Sequence, residues 1–187
     1  MKQPGDTRDK IVHLADELIR VKGYNAFSYK DIAATLEIKN AAIHYHFQTK
    51  EELGAMVVDQ EIGLFRQHVQ NWSELPSNEQ LKRLFEQFRK YNRGGFLCMM
   101  GALSADYDTL PSAVKAKVRE LSTYLLNWVT LVLEEGRKSG LLRFEGTPYD
   151  RSLLIMSDLM SSLILSRVLG SDAFTRVSVQ LLKDLNA

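Results

Sequence analysis

Apolar residues recur at helical spacing in nearly every segment of this 187-residue chain, and no segment alternates cleanly between apolar and polar residues. The first segment places Ile11, Leu14, Ala15, Leu18 and Ile19 on one helical face. A period of 3.6 residues predicts amphipathic helices, whereas strict alternation would predict strands. The sequence therefore predicts an all-α fold of about nine helices.

Helix start signals divide the chain into these predicted helices. A Ser or Thr followed three residues later by an acid or Gln predicts an N-cap, and so does a Thr directly before a Pro. Four such signals are found: Ser28 with Asp31, Thr49 with Glu52, Ser77 with Gln80, and Thr147 with Pro148.

Composition and motifs exclude several classes of protein. Cys98 is the only cysteine, which excludes a disulfide framework and a cysteine zinc site. The histidines lack zinc-ligand spacing, and no glycine-rich nucleotide loop or nucleophile elbow is found, so we expect no metal, no cofactor and no enzyme activity. No apolar signal-peptide core opens the chain, and Asp158 interrupts an apolar run already short for a membrane span, so we expect a cytoplasmic protein.

The net charge is +1, from 24 Lys and Arg against 23 Asp and Glu, which excludes a strongly basic nucleic-acid coat protein. The charge is unevenly distributed along the chain. Residues 1–50 hold 8 basic and 6 acidic residues, a net charge of +2, and three of the four histidines. Because DNA affinity depends on the few cations that face the phosphates, the total charge does not exclude DNA binding.

Residues 28–47 have the arrangement of a helix-turn-helix: a capped short helix, a turn of about three residues and a second short helix. In this motif the second helix enters the major groove and the first crosses the DNA backbone. Ile43 and Phe47 are four residues apart and are predicted to face the core.

The remaining residues of the second helix are small or polar. Ala41 and Ala42 allow close approach to base edges and can contact a thymine methyl group, and Asn40 can pair with adenine. Side chains with donors suited to phosphate oxygens complete the set: Lys39, His44, Tyr45 and His46.

Lys50 lies in the first turn of the next predicted helix, where the helix dipole disfavours a cation. A DNA phosphate at this terminus would be met by both the lysine and the free backbone amides. We therefore predict that Lys50 contacts phosphate; the alternative is a simply solvated lysine.

A longer pattern covers about the first 55 residues without a gap. It comprises Ile11, Ala15, Leu18, Gly23-Tyr24, Phe27-Ser28, Asp31-Ile32-Ala33, Leu36, Ile38, Ile43-His44-Tyr45-His46-Phe47 and Thr49-Lys50-Glu51-Glu52-Leu53. In this pattern the chain resembles the TetR/AcrR family of transcriptional regulators. The resemblance implies a recognition helix from Lys39 to His46, with phosphate contacts at Tyr45 or His44, His46, Lys50, Ser28 and Tyr29.

The sequence departs from the family pattern in and after the predicted turn. Glu37 stands where a glycine is common, and a left-handed glutamate costs about 1 kcal/mol, so we expect a slightly reshaped turn. Lys39 stands where a small capping residue is common, and His44-Tyr45 reverses a frequent Tyr-His order.

The resemblance also implies two domains: a DNA-binding domain of residues 1–47, and an effector-binding and dimerisation domain of residues 48–187. Aromatic and methionine-rich segments of the second domain predict the lining of an effector pocket. The alternative for each residue is ordinary core packing. The predicted lining residues are Phe88, Phe96, Cys98, Met100, Tyr124 and Trp128.

The last two predicted helices are apolar over wide faces that include small residues such as Ser157 and Ser161. Such faces favour a homodimer interface of four helices. The sequence thus predicts a homodimeric DNA-binding regulator, a repressor released from a palindromic operator by a small, largely apolar effector. An enzyme, and a helical small-molecule-binding or adaptor protein without a DNA role, are the alternatives.

Overall fold

The computed structural model describes the backbone of residues 4–185 and the side chains of residues 7–185. This range contains nine α-helices, one 3-10 turn (Tyr107–Thr109) and no strand, which confirms the predicted all-α fold. The helices are α1 (Pro4–Lys22), α2 (Tyr29–Leu36), α3 (Asn40–His46), α4 (Lys50–Trp72), α5 (Ser77–Gly94), α6 (Met99–Ser104), α7 (Ser112–Lys138), α8 (Pro148–Leu169) and α9 (Asp172–Asp184).

Three of the four predicted start signals are confirmed. At α2, the Asp31 carboxylate accepts hydrogen bonds from the Ser28 amide and hydroxyl at 2.6 and 2.7 Å. At α4, the Glu52 amide donates to the Thr49 hydroxyl at 3.1 Å. At α8, Thr147 is the N-cap, and its hydroxyl accepts from the third helical amide at 3.1 Å.

The fourth start signal, at α5, is wrong by one residue. Pro76 is the N-cap, so Ser77 is already the first helical residue, and it is buried. The Gln80 side chain does not close a capping box; its amide donates to the Leu75 carbonyl at 2.8 Å. Proline suffices here because its fixed φ suits a helix entry and it has no amide to satisfy.

The chain divides into two compact units. The first comprises residues up to Leu64 together with Met99–Leu121. In it, α1 packs on α2, α3 and α6. Its core is formed by aliphatic and aromatic side chains that include Ile11, Ala15, Ile19, Ile32, Ile43, Phe47, Leu53, Val57 and Leu103. The predicted DNA-binding domain, residues 1–47, lies within this unit, and its boundary at residue 47 stays a prediction.

The second unit comprises Phe65–Cys98 and the residues from Ser122 onward. Here α5 packs on α8 and α9, and α8 packs extensively on α9. Its core is aromatic and aliphatic and includes Leu81, Phe85, Phe88, Trp128, Leu133, Ile155, Leu159, Leu163 and Phe174.

The expectation that no segment is long enough for a membrane span is wrong for helix α8. By length and composition alone it passes such a test, since Asp158 is a single charge in a 22-residue helix. One such helix is weak evidence, because core helices pass the same test. One face of α8, formed by Ile155, Leu159 and Leu163, is buried in the second unit, as expected for a core helix.

Candidate nucleic-acid interface

The turn between α2 and α3 is closed by one left-handed residue. Glu37 has φ 53° and ψ 42°, the single positive φ outside glycine in the part of the chain that the structure describes. The next amide, of Ile38, donates to the Ala33 carbonyl at 3.1 Å. Lys39 returns to an extended conformation and is the N-cap of α3. Glu37 therefore adopts the left-handed conformation itself and bears its steric cost, and the expected slight reshaping of the turn stays a prediction.

Helix α3 is held in place by two apolar side chains. Ile43 and Phe47 are completely and almost completely buried in the first unit, as predicted. Burying a side chain of this size contributes about 1.5–3 kcal/mol. A seven-residue helix is too short to form alone in water, so this docking is what makes α3 a stable helix.

The opposite face of α3 is open. At about 100° per residue, Ala41 and Tyr45 point away from the buried side, whereas Ala42, next to Ile43, lies on one flank and is half-buried. The side chain of Tyr45 is 81% exposed. His44 and His46 lie on the two flanks between these faces.

The first turn of α3 carries two further polar side chains. Lys39 and Asn40 are both exposed, and Asn40 lies on the same flank as His44, one turn earlier. The structure thus brings the predicted residues of the second helix, from Lys39 to His46, onto one accessible surface.

Tyr29 joins α2 to α3 and is not free to contact DNA through its hydroxyl. The hydroxyl donates to the Phe47 carbonyl at 3.1 Å, and the ring packs edge-on against His44 with 4.9 Å between centroids. Burial and then the negative charge of Glu52 raise the pKa of Tyr29 to about 12, which keeps the hydroxyl protonated and donating. Tyr29 therefore positions the flank of α3 that carries His44.

The hydrogen-bond donors of Ser28 are likewise used within the protein, since its amide and its hydroxyl both donate to the Asp31 carboxylate. These hydrogen bonds lower the pKa of the Asp31 carboxyl. The amides that α2 leaves without helical partners are those of its first turn, beginning at Tyr29. The predicted phosphate contacts at Ser28 and Tyr29 stay predictions, and backbone amides are the groups available for them.

The ammonium group of Lys50 points into the protein. Its Nζ donates to the Phe27 carbonyl and lies 4.2 Å from the Phe27 ring centroid and 4.7 Å from that of Tyr24. Burial lowers the pKa of Lys50, and the charges of Asp106 and Asp31 oppose that shift. Lys50 therefore fastens the start of α4 to the loop between α1 and α2, and its predicted phosphate contact stays a prediction.

Four aromatic rings of the second unit form a cluster that includes two predicted effector-site residues. Tyr124 and Trp128 pack edge-on against Phe65 at 5.7 and 5.4 Å between centroids. Trp72 packs against the same Phe65 ring at 6.5 Å and lies 5.7 Å from Trp128. We call these four residues the aromatic cluster.

The other predicted effector-site residues do not join this cluster as one group. Phe88 is buried against the Tyr91 ring, and Cys98 is buried. Met100 belongs to the first unit. Phe96 lines a cavity of about 70 Å³ with Asn92, Gly95, Leu163, Ser166, Arg167 and Ser171. That volume is far below the roughly 300 Å³ of a typical ligand pocket, so the predicted effector pocket stays a prediction.

Two polar connections of the first unit were missed by the sequence reasoning. Arg20 is only 4% exposed, and its guanidinium donates at 2.8 Å to both Asp16 and Glu61, which joins α1 to α4. The Asp16–Arg20 spacing is visible in the sequence as an i, i+4 pair. Glu61 lies 41 residues away, and no local signal indicates it.

The second missed connection anchors the loop after α1. The Asp106 carboxylate accepts from the Asn25 amide at 3.1 Å, and the Asn25 side chain donates to Thr109 at 2.7 Å. A contact between residues 81 apart has no local signature in the sequence.

Known proteins share both the motif and the whole fold. The family model for bacterial regulatory proteins of the tetR family matches residues 11–55. The biofilm operon icaADBC negative transcriptional regulator IcaR of Staphylococcus epidermidis is 29% identical over 124 residues, which are 63% of this chain and 64% of IcaR. The match therefore spans slightly less than two thirds of that relative.

Solved structures extend the similarity to the full chain. A TetR-family regulator from Agrobacterium tumefaciens is 27% identical with a TM-score of 0.93, covering 99% of this chain and 100% of that one. A TetR regulator from Legionella pneumophila is also 27% identical, with a TM-score of 0.85 and coverage of 99% and 98%. The motif, the relative and the fold agree, and together they support a TetR-family transcriptional regulator.

Proposed function

We propose that the protein is a cytoplasmic transcriptional repressor that binds a palindromic DNA operator as a homodimer and leaves it when a small, largely apolar effector binds. The observation that carries the proposal is α3: two buried side chains fix the helix, and its small and polar side chains are exposed together. A helix of this kind fits the major groove, where small side chains permit close approach to the bases.

The two kinds of DNA contact divide by position around α3. The outward face, with Ala41 and Tyr45, is directed at base edges when the helix lies in the groove, so we reassign Tyr45 from the phosphate contact expected from the sequence to base contact, and half-buried Ala42 borders this face. The flanks, with His44 and His46, are directed at the phosphates that border the groove on either side. Asn40 and Lys39, at the start of the helix, add an amide suited to adenine and a cation suited to phosphate.

The charge distribution supports a modest electrostatic contribution. The first 50 residues carry a net charge of +2, and within the helix-turn-helix Lys30 and Lys39 are exposed. Each neutralised phosphate releases counterions, so operator affinity should fall steeply as salt is raised.

The exposed side of α8 supports a homodimer. Leu154, Leu165 and Val168 recur at helical spacing opposite the buried side of the helix, and the Val168 side chain is 79% exposed. A small residue, Ser161, lies in the same stripe. Apolar stripes of this length rarely remain in water, so a second copy of the chain is the occupant that we propose. Helix α9, the other helix of the predicted interface, packs on α8.

The aromatic cluster supports an apolar or aromatic effector. The chain has two tryptophans, Trp72 and Trp128, and both belong to this cluster. Ring faces offer large apolar contact areas at low entropic cost. Intrinsic fluorescence therefore reports directly on this part of the second unit, and a true effector should change it and weaken DNA binding in the same concentration range.

A selection from fragmented genomic DNA with the purified full-length protein tests the DNA-binding part. We expect a palindromic site with half-sites one helical turn apart, about 34–36 Å, or a multiple of that distance. Tyr45→Ala and Asn40→Ala should each relax base preference and weaken binding by about tenfold to a hundredfold. Lys90→Ala, an exposed lysine on α5, is the matched control and should leave binding unchanged.

Absence of sequence-selective binding under all salt conditions would overturn the proposal and favour an adaptor. Selective binding that survives both α3 substitutions would retain the DNA function and refute the assigned contacts.

A further inference from the structure

His44 has an acceptor on one side of its ring. The Nδ1 atom lies 3.3 Å from the Gln48 carbonyl oxygen, one turn later in the chain. The Tyr29 ring packs edge-on against the imidazole, which limits its rotation. The rest of His44 is exposed on the flank of α3.

This carbonyl determines where the hydrogen of the neutral ring sits. A carbonyl oxygen only accepts hydrogen bonds, so Nδ1 must carry the hydrogen for the contact with Gln48 to form. A neutral imidazole has a single N–H, so Nε2 then presents a lone pair to the solvent. Neutral His44 is thus an acceptor on the side that faces DNA.

A phosphate oxygen also only accepts. The neutral ring cannot donate to the Gln48 carbonyl and to a phosphate at the same time, whereas the imidazolium ion donates to both and adds a favourable charge. From this we infer that His44 holds a DNA phosphate only as an imidazolium ion, so that operator binding takes up a proton at each half-site. The inference rests on the proposed DNA-binding function and on the flank position of His44.

The groups packed around His44 are compatible with its protonation. From α2, Tyr29 contributes a ring edge and a hydroxyl that is already engaged with the Phe47 carbonyl. From α4, the Glu52 carboxylate accepts from the Gln48 amide at 2.8 Å and places a negative charge beside Gln48, the residue whose carbonyl His44 contacts. Lys50, also on α4, directs its ammonium to Phe27 instead.

On α3 itself, the charged neighbour of His44 is Lys39, which is exposed at the start of the helix. Glu52 carries a negative charge near Gln48, and an arriving phosphate brings a further one. Both side chains and the phosphate lie at or near the solvent, where each pairwise effect is modest. The phosphate is the one partner that arrives with the DNA, so the proton uptake is linked to binding.

His46 provides an internal control on the opposite flank. Its ring packs edge-on against Tyr45 at 5.0 Å. In the described residues, no carbonyl is assigned as a hydrogen-bond partner of either ring nitrogen of His46. A neutral His46 can therefore present an N–H to phosphate without taking up a proton.

The test measures operator affinity of the full-length protein between pH 5.5 and 8.5 at constant ionic strength, with a site recovered by genomic selection. Imidazoles ordinarily titrate near pH 6.5, so this range covers the change. Above the pH at which the imidazole titrates, one linked proton weakens operator affinity by about tenfold per pH unit. With one proton at each of two half-sites, the logarithmic slope of affinity against pH can double.

Two matched variants locate the proton. His44→Gln keeps a donor near the position of Nε2 but does not titrate, so the pH dependence should be lost or reduced to less than half its logarithmic slope. His46→Gln should retain the slope even though its affinity falls. If the wild type and His44→Gln show the same pH dependence, the inference is wrong.

Two readouts on the wild-type protein need no variant. Calorimetric binding enthalpies in buffers of different ionisation enthalpy should reveal net proton uptake at pH 7.5. The ¹⁵N shifts of His44 should show hydrogen on Nδ1 alone in the free protein and on both nitrogens in the DNA complex. A DNA-bound His44 with one bare nitrogen would overturn the inference while leaving the proposed function intact, and absence of selective DNA binding at every pH would overturn both.

Discussion

Substitutions at Glu37 measure the backbone strain in the helix-turn-helix directly. Its φ of 53° and ψ of 42° lie in the left-handed region, where a residue with a Cβ atom is disfavoured by roughly 1–2 kcal/mol. The side chain is exposed, and no interaction of the Glu37 side chain is assigned within residues 7–185 that would offset this cost. Glycine removes the steric cost, but it loses about 0.5–1 kcal/mol more conformational entropy on folding.

The difference predicts that Glu37→Gly stabilises the protein by about 0.5–1 kcal/mol. Glu37→Ala is the matched control, because it removes the same carboxylate and retains the Cβ atom; it should change stability by less than about 0.5 kcal/mol. Urea denaturation followed by circular dichroism at one protein concentration measures both, since dimerisation would make the midpoint depend on concentration.

Equal shifts for the two variants would refute the reasoning, because they would assign the effect to the carboxylate and not to the backbone. A lower midpoint for Glu37→Gly would show that the entropy of the unfolded chain outweighs the left-handed strain at this turn.

Three further predictions concern other parts of the chain. Arg20→Met should destabilise the protein by about 3 kcal/mol in chemical denaturation, because it leaves two carboxylates facing each other without their shared cation, and it should be partly rescued when both acids are replaced by their amides. Asp31→Asn should lower stability at neutral pH, and its deficit should shrink as the pH falls below about 3.8 and vanish only below the folded-state pKa, because the hydrogen bonds from Ser28 lower the pKa of Asp31 from 3.8 in the folded protein. Leu165→Glu should convert the proposed dimer to a monomer in light scattering, whereas Leu131→Glu, at an exposed leucine of α7, should not; a dimer that persists in the first variant would exclude this part of α8 from the interface.

Helix formation was predictable from sequence where the determinants are local. The Thr147 hydroxyl accepts from an amide three residues later, and the Ser28 amide donates to a carboxylate three residues later, so both helix starts depend only on residues close in the sequence. The failure at Ser77 is informative, since Pro76 supplied an entry of its own. The short helix α6 was not predicted at all, because six residues hold too little periodicity to be distinguished from an apolar loop.

The candidate site was predictable as a surface but not as a hydrogen-bond network. The i, i+4 spacing of Ile43 and Phe47 determines which side of α3 is buried, and therefore which side is open. The hydrogen-bond contacts of Tyr29 and His44 are made to the Phe47 and Gln48 carbonyls. The positions of these carbonyls follow from how α3 docks and ends. Docking is a tertiary property, and the residue pattern of one helix does not contain it.

Lys50 is an unfavourably placed cation, as the sequence indicates, but the groups that compensate it are not the expected ones. A cation in the first turn of α4 opposes the helix dipole, and the sequence-based interpretation assigned the compensation to a DNA phosphate. Within the protein, the Phe27 carbonyl and two ring faces already supply it, since carbonyl oxygens and aromatic faces both attract an ammonium ion. Removal of Lys50 must therefore loosen the loop that precedes α2 before any phosphate contact is considered. Lys50→Ala would lose DNA binding either because a phosphate contact is lost or because the loop is loosened. Only the part of the lost binding free energy that exceeds the lost free energy of folding can be assigned to the phosphate contact.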